Sequence, residues 1–410
     1  MREYLLVFLV ALATTYLLTV IAREIAVRTG AQAAVRDRDV HDEPIPYLGG
    51  LAMLGGLWAA FLVARELPFL SRSDPLVFRD AVVVLAAGTL ICVVGMFDDI
   101  FDIDALMKLG GQVVTAAVLV WQGVQFYYIP NGDGAQLSLD PAQGALFTVF
   151  VVVATMNAVN FVDGLDGLAA GVVGIGAVAF FVFTYQLSDL NGVTLATTGA
   201  LLSAALAGAC AGFLPHNFHP ARLFMGDSGS MLIGLVLSAS ALTITGQFDG
   251  SDISLGDEGS TAGSVVLLPL LLPVSLLLVP IADLVLAVVR RTRAGRSPFA
   301  PDKQHLHHRL LEIGHSQRRA VYIMWAWAAL ISGGAVVASL YSGPWVLTAL
   351  VVSTVAVIAF TFVLPRVRPW HKPEDALQTS AETNQEDASE ATPEAGVEAG
   401  SEPLAAAPPE

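Results

Sequence analysis

Hydrophobic and polar positions alternate along this chain on a long scale, with extended apolar runs separated by short polar breaks. Eleven runs stand out, at about 4–22, 46–64, 80–96, 106–122, 143–158, 167–185, 194–213, 229–246, 263–289, 320–340 and 344–364. Segments of roughly 17–25 apolar residues are long enough to cross the hydrocarbon core as helices. Backbone groups cannot stay unpaired in lipid, so the runs predict helices. The fourth and fifth are the shortest and are flanked by glycine or proline. The expectation is an all-α polytopic membrane protein with about eleven transmembrane helices.

Composition agrees, since 55% of the 410 residues are hydrophobic and only 14% are charged. Soluble proteins carry nearer a quarter charged residues. The basic residues set the orientation. With an external N-terminus, only Arg2, Arg65, Arg72 and Arg79 of the 21 Lys and Arg residues fall outside, and the others face the cytoplasm. A cleaved signal peptide is disfavoured, because the first apolar run continues well past Ala11-Leu12-Ala13 and its basic flank is one arginine beside Glu3. The net charge of −15 is concentrated in residues 373–410, which carry acidic side chains and no basic one. That stretch has almost nothing to bury. The division predicted is a transmembrane domain over 1–372 and an acidic, disordered cytoplasmic tail over 373–410. Cys92 and Cys210 lie inside apolar runs and read as packing residues.

Four polar breaks carry the chemistry: Gly95–Asp99, Asn157–Gly167, Phe224–Gly229 and Asp302–His308. Counting crossings puts all four on the cytoplasmic side. Asp98 and Asp99 end the third run in a cluster with Asp102 and Asp104. Adjacent carboxylates repel, so such a pair at a low-dielectric edge needs a cation or a shared proton. Lys108 follows closely, and a compact ammonium suits phosphate as a point charge. Asn157, Asn160, Asp163 and Asp166 recur every three residues, so neighbours in the series share a helix face. Ionisable groups near a bilayer are expensive and usually functional.

Asp227 lies between Gly226 and Ser228 at the start of a run. A lone carboxylate there fits Mg²⁺, which usually takes one or two protein carboxylates plus substrate phosphates. The resemblance of Gly-Asp-Ser-Gly to a serine-protease segment is excluded by its position between membrane spans. His305, His307 and His308 follow Asp302 and Lys303 and precede Arg309. A zinc site is the alternative, but no His-Glu-x-x-His pattern and no nearby cysteine supports it; phosphate binding fits better. In Pro44–Gly50 the prolines fix the start of the second run and the glycines permit close helix packing.

Taken in this order, the motifs Pro-x-Pro-x-x-Gly-Gly, Asp-Asp, Asn-x-x-Asn-x-x-Asp-Gly-x-Asp-Gly, Met-Gly-Asp-Ser-Gly and His-Leu-His-His resemble the polyprenyl-phosphate N-acetylhexosamine-1-phosphate transferases (glycosyltransferase family 4), in their WecA-like branch. The resemblance spans about residues 40–310. It implies that a polyprenyl phosphate attacks the β-phosphate of a UDP-sugar, releasing UMP in the first membrane step of a cell-envelope polysaccharide. By motif, Asp227 with Asn160 would hold Mg²⁺, with Mn²⁺ as a substitute. Lys108 and the histidines, with Lys303 and Arg309, would neutralise the diphosphate. Asp98 or Asp99 would position or deprotonate the acceptor, and Asn157, Asp163 and Asp166 would contribute to the nucleotide site.

The interrupted histidine run favours UDP-GlcNAc over the UDP-MurNAc-pentapeptide of the muropeptide translocases in the same superfamily. Tyr47 stands where family members often carry a basic residue, so it receives no substrate contact. Implied partners are UDP-GlcNAc, a polyprenyl phosphate and the lipid bilayer, without nucleic acid; dimeric relatives suggest a homodimer. The implied location is a bacterial plasma membrane, with the C-terminus and active site cytoplasmic. Two other classes compete. A lipid-linked-sugar flippase or transporter would place its acids near mid-bilayer, not at helix ends. A CDP-alcohol phosphotransferase would need an Asp-Gly-x-x-Ala-Arg segment, absent here.

Overall fold

Polar caps decide where the apolar runs become helices. The computed structural model describes residues 1–29, 45–130, 136–191, 194–245, 292–293, 315–341 and 343–362. The run expected at 263–289, the Asp302–Arg309 segment with Lys303, His305, His307 and His308, and the tail at 373–410 lie outside these residues. Every other run forms a helix: α1 (Arg2–Thr29), α2 (Gly49–Glu66), α3 (Pro75–Phe101), α4 (Ala105–Trp121), α5 (Pro141–Val162), α6 (Leu168–Asn191), α7 (Thr194–Asn217), α8 (Gly226–Thr245), α9 (Gln317–Leu340) and α10 (Pro344–Phe362).

Several helices outrun their apolar cores because polar residues extend them. Asp74 caps α3, with Pro75 in the first turn. Asp140 and Gln143 form a reciprocal capping box ahead of α5, again with proline in the first turn. Such a cap contributes about 1 kcal/mol. Eight of the described helices are long and apolar enough to cross a membrane. The two that fall short are α4, with 17 residues, and α2, whose 18 residues include Arg65 and Glu66. The expected figure of eleven crossings therefore stands at eight by length and apolarity among the described residues. One addition to the helical plan is a hairpin between α4 and α5, in which β1 (Tyr128–Pro130) pairs antiparallel with β2 (Gln136–Ser138).

The centre of the bundle is α8, which packs against α2, α3, α5 and α7. Its side chains are almost all buried, as are those of α7. Both are rich in Ala, Gly, Ser and Thr, which lets neighbouring backbones approach closely; that approach drives helix association where the solvent is itself apolar. On α7, Gly212 lies directly against the Leu12 carbonyl of α1. Outer helices differ in character. Leu5, Leu9, Leu17 and Ile21 of α1, and Leu347, Val351, Val352 and Val355 of α10, are exposed, as lipid-facing side chains should be. The result is an all-α polytopic membrane protein in which a small-residue core pair holds a lipid-facing shell.

Replacing Gly212 with Leu drives a branched side chain into the α1 backbone. Overpacking typically costs about 1–3 kcal/mol, and a carbonyl yields less readily than a side chain. The expected outcome is a clearly lowered unfolding midpoint in detergent, followed by tryptophan fluorescence. An unchanged midpoint would mean that α1 moves freely away from α7.

Candidate active site

The ends of α3, α5 and α7 and the starts of α2, α4, α6 and α8 meet at one end of the bundle. Between α7 and α8 the chain runs back through Phe224 and Met225. The Phe224 N–H donates to the Pro46 carbonyl at 2.9 Å, while the N–H groups of Gly49 and Gly50 donate to Phe224 and Met225 carbonyls at 3.1 and 3.0 Å. The Pro-Tyr-Leu-Gly-Gly segment thus does more than pack: it pairs, backbone to backbone, with the stretch that delivers Asp227. A Cβ on Gly50 would strike the Gly229 backbone, and one on Gly95 would strike that of Ser228. So α2 and α3 both bear on the first turn of α8.

Around that turn the predicted polar residues converge. The Lys108 ammonium, on the first turn of α4, pairs with Asp98 at 2.9 Å and also with Asp227. Asn160, near the end of α5, donates through Nδ2 to Asp227 Oδ1 at 2.6 Å and to Ser230 Oγ at 2.9 Å. Asp99 accepts from the backbone N–H of Asp227 at 2.7 Å and of Ser228 at 3.2 Å. The four carboxylates that looked like one acidic cluster therefore separate. Asp98 meets lysine, Asp99 meets backbone, Asp102 closes α3 in a left-handed conformation (φ 49°), and Asp104 caps α4 through the Leu106 N–H.

The remaining predicted residues sit around this centre. Asn157 exchanges hydrogen bonds with the buried Gln112 of α4, donating at 2.6 Å and accepting at 3.3 Å. Asp163 caps the end of α5; desolvation, and then the neighbouring Asp99 and Asp166, hold its carboxyl well above the usual range. Asp166 is buried, at 3% exposure, and its Oδ2 accepts from the Ala221 N–H at 3.0 Å and contacts His219 Nδ1 at 2.9 Å. Its contacts clamp the α7–α8 connection. Gly167 adds to that clamp by donating its N–H to Asn217 Oδ1 at 3.0 Å.

Residues 81–245, from early α3 to the last residue of α8, match the model of glycosyl transferase family 4. A decaprenyl-phosphate N-acetylglucosaminephosphotransferase of Mycolicibacterium smegmatis is 47% identical over 368 residues, covering 89% of this chain and 88% of its own. The chain belongs to glycosyl transferase family 4. A protein of the same name from Mycobacterium tuberculosis is 46% identical over 372 residues, 90% of each chain. A phospho-N-acetylmuramoyl-pentapeptide-transferase of Mycobacterium leprae is 31% identical over 384 residues, 85% of this chain and 99% of its own. Membership makes the chain a membrane transferase.

As a family 4 site, the cluster offers hard oxygen donors. Among the described residues no group of three or more His, Cys, Asp or Glu side chains could by itself hold a metal. Magnesium does not require one, since substrate phosphates and water complete its shell. The Asp227 carboxylate and the amide of Asn160 are side by side and of suitable chemistry. In the structure the Asp227 carboxylate is balanced by the Lys108 ammonium. Sequence reasoning missed Gln112, Ser230, Asn217 and His219. Gln112 had a signal, a lone amide in an apolar run four residues after Lys108 and hence on its helix face.

Because the Asp163 carboxyl is held above its ordinary range, ionising it opposes folding. That penalty is present at neutral pH and disappears as pH falls towards the ordinary aspartate range near about 4. Asp163→Asn should therefore raise the melting temperature of the ligand-free protein at pH 7–8, with the gain shrinking as pH is lowered, while activity falls. Melting curves of the two proteins across pH check this; a gain independent of pH would place its origin elsewhere.

Proposed function

We propose that this chain transfers GlcNAc-1-phosphate from UDP-GlcNAc to a polyprenyl phosphate in a Mg²⁺-dependent reaction at the cytoplasmic face of a bacterial plasma membrane. The observation that carries the reading is the meeting of Asp98, Lys108, Asn160 and Asp227 from four helices at one end of a membrane bundle. That location lets a lipid tail stay in the bilayer while its phosphate reaches a soluble nucleotide sugar. The uneven division of basic residues supports an external N-terminus and a cytoplasmic site.

In the reaction, an oxygen of the acceptor phosphate forms a bond to the β-phosphorus of UDP-GlcNAc. The bond from that phosphorus to the bridging oxygen breaks, and UMP leaves with the electron pair. A phosphate monoester has a second pKa near about 6, so the acceptor is largely dianionic at neutral pH and needs positioning more than deprotonation. Phosphoryl transfer in general rests on positioning and charge neutralisation. Lys108 supplies positive charge between the two substrates, and Asp98 orients that ammonium while accepting any remaining acceptor proton. Asp227 and Asn160 would hold Mg²⁺, which would supply charge to neutralise the diphosphate and the leaving UMP. Asp163, at the end of α5, is assigned to the nucleotide by resemblance. Lys303, His305, His307, His308 and Arg309 are assigned to the diphosphate by resemblance. Mn²⁺ is expected to substitute for Mg²⁺, and a homodimer is the assembly we favour.

Purified protein given UDP-GlcNAc, a polyprenyl phosphate and Mg²⁺ should release UMP only when lipid and metal are both present. Asp227→Asn should reduce turnover by a factor on the order of a thousand, comparable to removing a key charge-stabilising group, without unfolding the protein. Release of UDP would indicate an ordinary glycosyl transfer and overturn the proposal. UMP from UDP-MurNAc-pentapeptide alone would move the chain to the muropeptide branch.

A further inference from the structure

Asp98 and Asp99 are neighbours in sequence and yet face different partners. Successive residues on a helix do not share a face, and the two carboxylates diverge accordingly. Asp98 reaches Lys108 at 2.9 Å. Both Asp99 oxygens accept from the first turn of α8, Oδ1 from the Asp227 N–H at 2.7 Å and Oδ2 from the Ser228 N–H at 3.2 Å.

The first turn of α8 needs such a partner. Its opening N–H groups have no intrahelical acceptor, and neither Met225 nor Gly226 offers the side-chain oxygen that a local cap uses. Gly226 takes φ +68°, and the Asp99 carboxylate lies where a Cβ on Gly226 would stand. A negative group at this helix end is favourable as well as well placed. The Ser228 hydroxyl lies 3.2 Å from the Met225 carbonyl and also faces the Asp99 carboxylate, so it adds to the cap.

We propose that Asp99 is a positioning residue: its carboxylate caps α8 from α3, 128 positions away, and so fixes where Asp227 stands relative to Lys108 and Asn160. The acceptor phosphate is then served by Asp98 and not by Asp99. This inference rests on the assignment of Asp227 to the metal and diphosphate made above.

Hydrogen–deuterium exchange of the peptide covering residues 224–232, combined with kinetics, tests it. In Asp99→Ala, exchange at that peptide should quicken, kcat should fall on the order of a hundredfold, as for a misplaced reacting group, and the KM for polyprenyl phosphate should stay the same. The Mg²⁺ concentration for half activity should rise. Asp99→Asn keeps a side-chain oxygen and should recover part of both exchange protection and kcat, which also guards against an alanine variant that fails to fold. Asp98→Ala should lose activity with exchange at 224–232 unaltered. Unchanged exchange in Asp99→Ala together with a raised KM for the lipid would overturn the inference and return Asp99 to the acceptor. Full activity in Asp227→Asn would instead sink the underlying assignment, whatever Asp99 does.

Discussion

A helix whose first turn is packed among its neighbours leaves backbone donors that must find partners within the protein. The N-terminus of α8 meets this constraint, since the helix is almost wholly buried and its first N–H groups lack intrahelical acceptors. The structure answers with groups from elsewhere. Asp99 accepts from two of those amides, and the Pro46–Gly50 stretch holds the preceding backbone by a short ladder. Once this turn is fixed, Asp227 has one place to stand, and Lys108 and Asn160 can be arranged around it. The chemistry of the end of the bundle follows from a need of its backbone.

Charge imposes a second constraint. Asp98 and Asp227 share one lysine, and the Asp163 carboxyl, near Asp99 and Asp166, is disfavoured in its ionised form. Both proposed substrates are anions too. Bringing them into an acidic site without added positive charge would be opposed by Coulomb repulsion that low dielectric strengthens. Under the proposed function a divalent cation would resolve the conflict and let the site keep its carboxylates where phosphates must enter.

Much of the fold was legible because membrane helices advertise themselves by length and apolarity, and each predicted run within the described residues is a helix. Their ends were less legible, because caps such as Asp74 and Asp140 lie outside the apolar pattern. The membership of the site was also readable, from carboxylates and amides at helical spacing. The division of labour was not. Asn157 and Asn160 share a face, but one meets Gln112 of α4 and the other Asp227 of α8, and no local pattern distinguishes them. Asp166 looks like Asp163 in sequence and is buried against His219 and Ala221. Its partners lie more than fifty positions away, with no spacing to announce them. Roles of this kind depend on which helix arrives opposite, a matter of packing and not of periodicity.

The long reach between Asp99 and the α8 amides also bears on how the molecule is made. Asp99 and its backbone partner in Asp227 are separated by 128 positions, and Lys108 and Asp227 by 119. At about 5–20 residues per second, synthesis delivers the acidic end of α3 to the membrane roughly 6–26 s before α8 follows. During that interval the carboxylates of α3 are balanced only by what is local, chiefly Lys108. The acidic end of α3 therefore waits for its α8 partners, and the insertion of α8, the most buried of the described membrane helices, brings them to it.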